Sequence, residues 1–294
     1  MSEHRTDTYQ RITDTIITAL ESGTRPWIQP WSASQIGSTF PRPLRANGEP
    51  YRGINILLLW LAAAANGFEH NRFMTYRQAQ ELGGQVRKGE KGTLIVKYGT
   101  VTRKGESAED EDREIPYLKG YTVFNLSQID GLSAEHYTAP TPLQVEQRIE
   151  RAESFARSTE AVITHGGNRA CYIPATDRIQ MPPFAAFVSP ESYYSTLFHE
   201  LAHWTGAKHR LDRISSTNMM TKGYAFEELV AEITACFVCS DLEITATVRE
   251  ESASYLASWL KCLKEDKKAI FRAASRAQAA ADFLHHQQQG RAAA

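Results

Sequence analysis

Cysteine is scarce in this chain. Its 294 residues hold four, Cys171, Cys236, Cys239 and Cys262, too few to staple a protein of this length into a disulfide framework. Long apolar runs are missing as well. The longest, Ile56 to Ala65, falls short of the roughly 20 residues that a membrane helix needs. The N-terminus is polar and of mixed charge, without the apolar stretch of a secretory signal. A reducing cytoplasm is the expected compartment, and no membrane partner is expected. Net charge is almost absent, at −1, which argues against a DNA mimic, since a mimic needs a strongly acidic surface.

Against these absences stands one dense stretch. Tyr193 to Trp204 reads YYSTLFHELAHW and contains H-E-x-x-H. Ser189 and Pro190 supply a helix start and Gly206 a stop. His199 and His203, four apart, share one helix face and can reach one metal ion, with Glu200 beside them as general base. A third ligand is expected downstream. Phe226 to Ile233 reads FEELVAEI, a second helix with Glu228 and Glu232 on one face. Glu228 is read as the ligand. Glu232 is then the acceptor for the far ring nitrogen of His199, with the reverse assignment left open. Three protein ligands leave a position for water, the mark of a catalytic site. Zn2+ is the default ion for this donor set, with Mn2+ or another divalent ion as the alternative. Cys236 and Cys239 form C-x-x-C, but no second pair completes a tetrahedral site, so they read as small core residues.

Two domains fit the length, residues 1–138 and 139–294, divided at Pro140-Thr141-Pro142. The first reads as an amphipathic helix over 6–22, a Trp/Pro loop, and a buried helix from Ile54. A short capped helix at 75–82 and two strands of one sheet, around 93–98 and 117–126, complete it. Residues 106–114, ESAEDEDRE, read as a solvated acidic loop. In the second domain a helix over 143–157 precedes three short strands at 161–164, 170–173 and 178–181. The metal helix, the Glu228 helix and one final helical region, from Arg249 to about His286, follow. The tail is expected to fray, with His285 and His286 solvated. The fold class is α+β.

Between residues 38 and 104, eleven Lys/Arg face four acids. Aromatics are interleaved with them. A cationic groove with stacking platforms suits single-stranded DNA. The candidate contacts are Trp27, Trp31, Arg42, Arg45, Asn47, Tyr51, Arg52, Arg72, Tyr76, Arg87, Lys88 and Lys91.

The segments TRPWIQPW, PYRGIN, RFMTYRQA and VRKGEKGTLIVKY resemble the N-terminal domain of ArdC-type plasmid antirestriction proteins. YYSTLFHELAHWTG, the RLDR that follows and EELVAE are similar to the zincin-like metallopeptidase domain that accompanies it. The resemblance implies N-terminal helices packed on a small antiparallel sheet and a C-terminal, gluzincin-like module. It also implies non-specific single-stranded DNA binding and protection of incoming conjugative plasmid DNA from type I restriction, with transfer to the recipient cell as an extension. A protein substrate or a restriction-system component is a further expected partner. The rival reading is a regulatory zinc peptidase that cleaves a repressor, with no direct DNA role. The strand at Arg178–Met181 is expected to offer an edge to an extended substrate. Tyr193, Tyr194, Tyr224 or His209 is expected to steady the oxyanion.

Overall fold

The computed structural model describes residues 7–27, 41–103, 113–137, 144–214, 222–244, 246 and 252–292. Asp7 caps α1 (Thr8–Glu21), accepting from the Tyr9 N–H, and the helix buries Ile12, Ile16 and Leu20. Gly23, at φ +81°, takes the left-handed turn that ends it. α2 (Ile54–Asn66) buries Ile54, Ile56 to Trp60 and Ala63, as its continuous hydrophobicity requires. Next come β1 (Phe73–Met74), α3 (Tyr76–Glu81) with its Thr75/Gln78 capping box, and β2 (Gln85–Val86). β3 (Thr93–Arg103), β4 (Arg113–Asn125), β5 (Ile129–Asp130) and α4 (Ala134–Tyr137) complete this half. β1, β4 and β3 form an antiparallel sheet in that order, and β2 pairs with β5. β3 and β4 stay in register from Thr93↔Val123 to Arg103↔Arg113. Arg113 and Glu114 therefore belong to a strand and not to the expected acidic loop, whose remainder lies outside the described residues.

The second half opens with α5 (Val145–Arg157). β6 (Val162–His165), β7 (Cys171–Ile173) and β8 (Arg178–Met181) follow. Their order is β6-β8-β7, parallel then antiparallel. β8 is thus the central strand, with both its ladders taken, and cannot be the substrate edge expected from sequence. That correction leaves β7 as the edge beside the site. α6 (Pro190–Thr205) is the H-E-x-x-H helix, and α7 (Lys222–Asp241) carries Glu228. The expected final helical region is two helices, α8 (Ser252–Glu265) and α9 (Ala269–Ala292). Asp266 breaks it: its carboxylate accepts from the Lys268 N–H and its carbonyl from the Ala269 N–H. α9 continues through the tail expected to fray. His286 is exposed as expected, and the half-exposed His285 lies 2.9 Å from the Asp241 carboxylate.

One apolar cluster runs through both halves, from Ile12 to Leu284. Trp27 packs edge-on against Trp259 with ring centroids 5.4 Å apart. The Gly53 N–H at the start of α2 donates to Gln278 of α9. Arg42 reaches across to Asp241 at 2.9 Å and lies over the Phe237 ring. The boundary drawn at 138/139 falls just where residues 138–143 lie outside the described set.

Candidate metal centre

α6 places His199 and His203 one turn apart, and α7 crosses it so that Glu228 faces both. The two Nε2 atoms are 3.1 Å apart. Glu228 Oε2 lies 3.4 Å from His199 Nε2, and Oε1 lies 3.3 Å from His203 Nε2. One ligand atom from each residue falls within 4.8 Å of the others, and all three residues are buried. Two imidazole nitrogens so close, facing one carboxylate, need a shared cation or proton between them. The donor set of two imidazoles and a carboxylate suits a divalent ion. The residues therefore fit a metal site.

Each histidine has a carboxylate on its far side. His199 Nδ1 is 3.3 Å from Glu232 Oε2, and His203 Nδ1 is 3.6 Å from Glu227 Oε1. The first of these pairs is the one expected from sequence. The second was missed, although the Glu227-Glu228 doublet carried the signal. Glu200 also accepts a hydrogen bond from the Tyr172 N–H of β7, at 2.9 Å. No sequence signal marks a backbone donor of that kind. The cleft over the cluster, about 380 Å³, is also lined by Arg169, Cys171, Tyr224, Tyr255 and Arg276.

Burial pushes the Glu228 carboxyl up, but the two imidazoles overcome it and hold the group well below the usual carboxylate range. Burial likewise pushes His203 down, and Glu227 and Glu228 more than reverse that, raising it to about 10. A cation cannot share a nitrogen with a proton. Cation binding at neutral pH is therefore expected to release about one proton, and affinity to fall as pH falls. Calorimetry in buffers of different ionisation enthalpy measures that proton directly.

Of the four oxyanion candidates, only Tyr224 lines the cleft. Tyr193 donates to or accepts from His165 Nε2 at 2.8 Å, and Tyr194 donates to Glu153. His209 is exposed beside Asp177. Cys236 and Cys239 are buried, and burial raises both thiols, Cys239 to about 12.

The N-terminal candidates divide. Trp27 is fully buried and Tyr51 nearly so. Neither offers a ring face to a base, which corrects their expected stacking role. Arg42 is spent on Asp241, and its burial removes it from any phosphate. Arg72 faces His136 at 3.3 Å in a half-buried position. Arg45 pairs with Glu49, Arg52 with Asp282, and Arg87 with Glu90 and Asp130. Asn47 accepts from the Glu49 N–H. Trp31 lies outside the described residues. Tyr76 is 43 % exposed. Lys88, Lys91 and Lys97 are exposed and form no ion pair among the described residues.

Residues 6–124 match the N-terminal domain of anti-restriction factor ArdC, and residues 150–276 match a zincin-like metallopeptidase. The metal-free crystal structure of antirestriction protein ArdC from plasmid R388 superposes with a TM-score of 0.83. It is 46 % identical, covering 97 % of this chain and 98 % of that one. The chain belongs to the ArdC antirestriction family. The Mn(II)-bound structure of ArdC from R388 gives a TM-score of 0.79 at 48 % identity, over 96 % and 98 % of the two chains. Protein y4eC of Sinorhizobium fredii (strain NBRC 101917 / NGR234) is 46 % identical over 96 % of this chain and 93 % of its own length. DNA primase TraC of Escherichia coli is 36 % identical over 94 % of this chain but only 20 % of the primase. The zincin-like match, the Mn(II)-bound relative and the donor set point together to a divalent cation. No helix among the described residues is long and apolar enough to cross a membrane.

Proposed function

We propose that this ArdC-family chain binds single-stranded DNA without sequence preference through its N-terminal half and carries a zinc-dependent peptidase site in its C-terminal half. Protection of incoming conjugative plasmid DNA from restriction is the role this combination serves. The observation that carries the DNA reading is the unspent charge around the N-terminal sheet. Lys88, Lys91 and Lys97 are exposed there, and so are Tyr76, Tyr98 and Tyr117. Exposed cations on a surface that also exposes tyrosines, with Lys88 and Tyr76 lining one groove, meet the needs of phosphates and unpaired bases. The primase relative, a protein that works on DNA, supports the same reading.

His199, His203 and Glu228 would hold the cation, which supplies Lewis-acid polarisation to a carbonyl and to the attacking water when bound. The chain's own residues do the rest. The Glu200 carboxylate, fixed by the Tyr172 N–H, takes the proton of the water whose oxygen attacks the peptide carbon. When the C–N bond breaks, Glu200 returns that proton to the leaving nitrogen. Burial and the neighbouring Tyr255 and Glu228 raise the Tyr224 phenol, so it stays an O–H donor facing the place where an oxyanion would form. β7, the edge strand, is the one on which an extended peptide would pair.

The DNA reading is tested with the full chain and fluorescent oligonucleotides, single- and double-stranded, across a salt series. Single-strand preference is expected. The Lys88→Ala, Lys91→Ala double variant is expected to flatten the salt slope by about 0.7 for each lysine that meets a phosphate. Binding with an unchanged slope would remove these lysines from the surface. No binding by the folded chain would remove the DNA role and bring forward the reading as a regulatory peptidase.

A further inference from the structure

The sequence Arg210-Leu211-Asp212-Arg213 has no part in the chemistry described so far. It follows the metal helix directly and winds back over its C-terminal end. Asp212 takes a left-handed backbone, φ +47°, which an aspartate tolerates and which a β-branched residue would resist. The turn brings the N–H groups of Leu211, Asp212 and Arg213 onto the carbonyls of Thr205, Ala207 and Gly206 at 2.9–3.0 Å. The two arginine side chains cap two more. Arg210 Nη1 donates to the Trp204 carbonyl at 2.8 Å, and Arg213 Nη2 to the Ala202 carbonyl at 2.6 Å. Helix ends leave such carbonyls without partners, and cations there are favoured by the helix dipole. Both arginines are nearly buried, with side chains 8 % and 5 % exposed.

Beyond the helix end the two part company. Arg210 stacks on Trp204 at 3.6 Å and pairs with Asp177, which also accepts from the Tyr172 hydroxyl. That connection runs through the β7–β8 turn to Tyr172 of β7, whose N–H holds Glu200, and it reaches none of His199, His203 and Glu228. Arg213 instead grips Glu227 with two nitrogens, at 2.9 and 3.3 Å, and donates to the Thr205 hydroxyl at 2.9 Å. Glu227 Oε1 is the atom that faces His203 Nδ1. The guanidinium thus ties one carboxylate to the carbonyl of Ala202, the residue before His203.

We propose that Arg213 is a positioning residue of the metal centre. It holds Glu227 where that carboxylate fixes the ring plane and tautomer of His203, the part that Glu232 plays for His199. A carboxylate set by a single salt link could rotate away from the imidazole. One held by a two-pronged, buried guanidinium cannot. Partners of this kind change metal affinity by about 10- to 100-fold when removed. The proposal rests on the reading of His199, His203 and Glu228 as the metal set.

The test measures Mn2+ and Zn2+ affinity of the full chain by competition with a chromophoric chelator, alongside the melting temperature of the metal-free protein. Arg213→Met is expected to weaken metal binding by about 10- to 100-fold, as is Glu227→Gln. The double variant is expected to bind no more weakly than either single one, because both break the same link. Arg213→Lys keeps the charge without the fork and is expected to recover only part of the loss. Arg210 caps the same helix end with similar burial, so Arg210→Met is expected to lower the melting temperature and leave metal affinity within about threefold. Arg213→Met that melts lower yet binds metal as tightly as the wild type would reduce Arg213 to a helix cap and overturn the proposal. If Arg213→Met does not fold, Glu227→Gln with unchanged affinity overturns it equally. His203→Ala and Glu228→Ala serve as controls: metal binding that survives both would refute the metal set itself and not the clamp.

Discussion

Glu200→Gln is expected to lower the rate of peptide hydrolysis by about 10²- to 10⁴-fold, the usual size of a lost general base. Glutamine has nearly the same volume, and its carbonyl oxygen can still accept the Tyr172 N–H that holds Glu200 at 2.9 Å. It cannot take a proton. His199, His203 and Glu228 converge without it, so metal affinity should stay close to wild type. The measurement is cleavage of a denatured protein or a quenched peptide library by the metal-loaded full chain. Undiminished cleavage would sink the assignment of Glu200. The same variant separates two roles for the centre. Retained antirestriction in folded, metal-loaded Glu200→Gln protein would make the site a scaffold for protection, and its loss would make proteolysis part of it.

Arg42→Met is expected to cost about 3–5 kcal/mol of stability, because it leaves the mostly buried Asp241 carboxylate with only the half-exposed His285 beside it. Arg42 Nη2 and His285 Nε2 both lie 2.9 Å from Asp241 Oδ2, and the guanidinium covers the Phe237 ring. Burial pushes Arg42 below its ordinary value and the Asp241 charge only partly offsets this, as expected for a desolvated pair. Urea unfolding of the metal-free chain checks the figure. The loss should appear as a shift of one transition that involves both halves. A loss under about 1 kcal/mol would place the pair in the class of surface bridges instead.

Local spacing made the centre of the molecule legible. His199 and His203 lie on a helix whose cap and period are written within a dozen residues, and Glu228 and Glu232 follow from an i, i+4 step on the next helix. What was illegible depended on distant partners. Trp27 sits among cations in the sequence and looks like a stacking platform, but its neighbour Trp259 is in another half of the chain. The same holds for Arg42, whose partner comes from the end of α7. β8 has the composition of either an edge or a centre, and only the placing of β7 beyond it decides. The break at Asp266, by contrast, was available: an aspartate accepting from the N–H two residues on is a local signal, hidden only by the alanine-rich sequence after it. Glu227 was hidden for a similar reason: two adjacent acids on a helix cannot both face one ion, and its partner Arg213 lies outside the helix period.

The shared apolar interior has an evolutionary corollary. With Trp27 against Trp259, Gly53 on Gln278 and Arg42 on Asp241, neither half can be inherited alone without exposing its seam. Recombination should therefore move the whole block or none of it. The Escherichia coli primase fits that rule: its likeness runs along 94 % of this chain yet occupies only a fifth of the larger protein. Shuffled relatives that keep one half should carry polar replacements at the positions equivalent to Trp27, Arg42 and Trp259. Their absence from such proteins would show that the seam tolerates being opened.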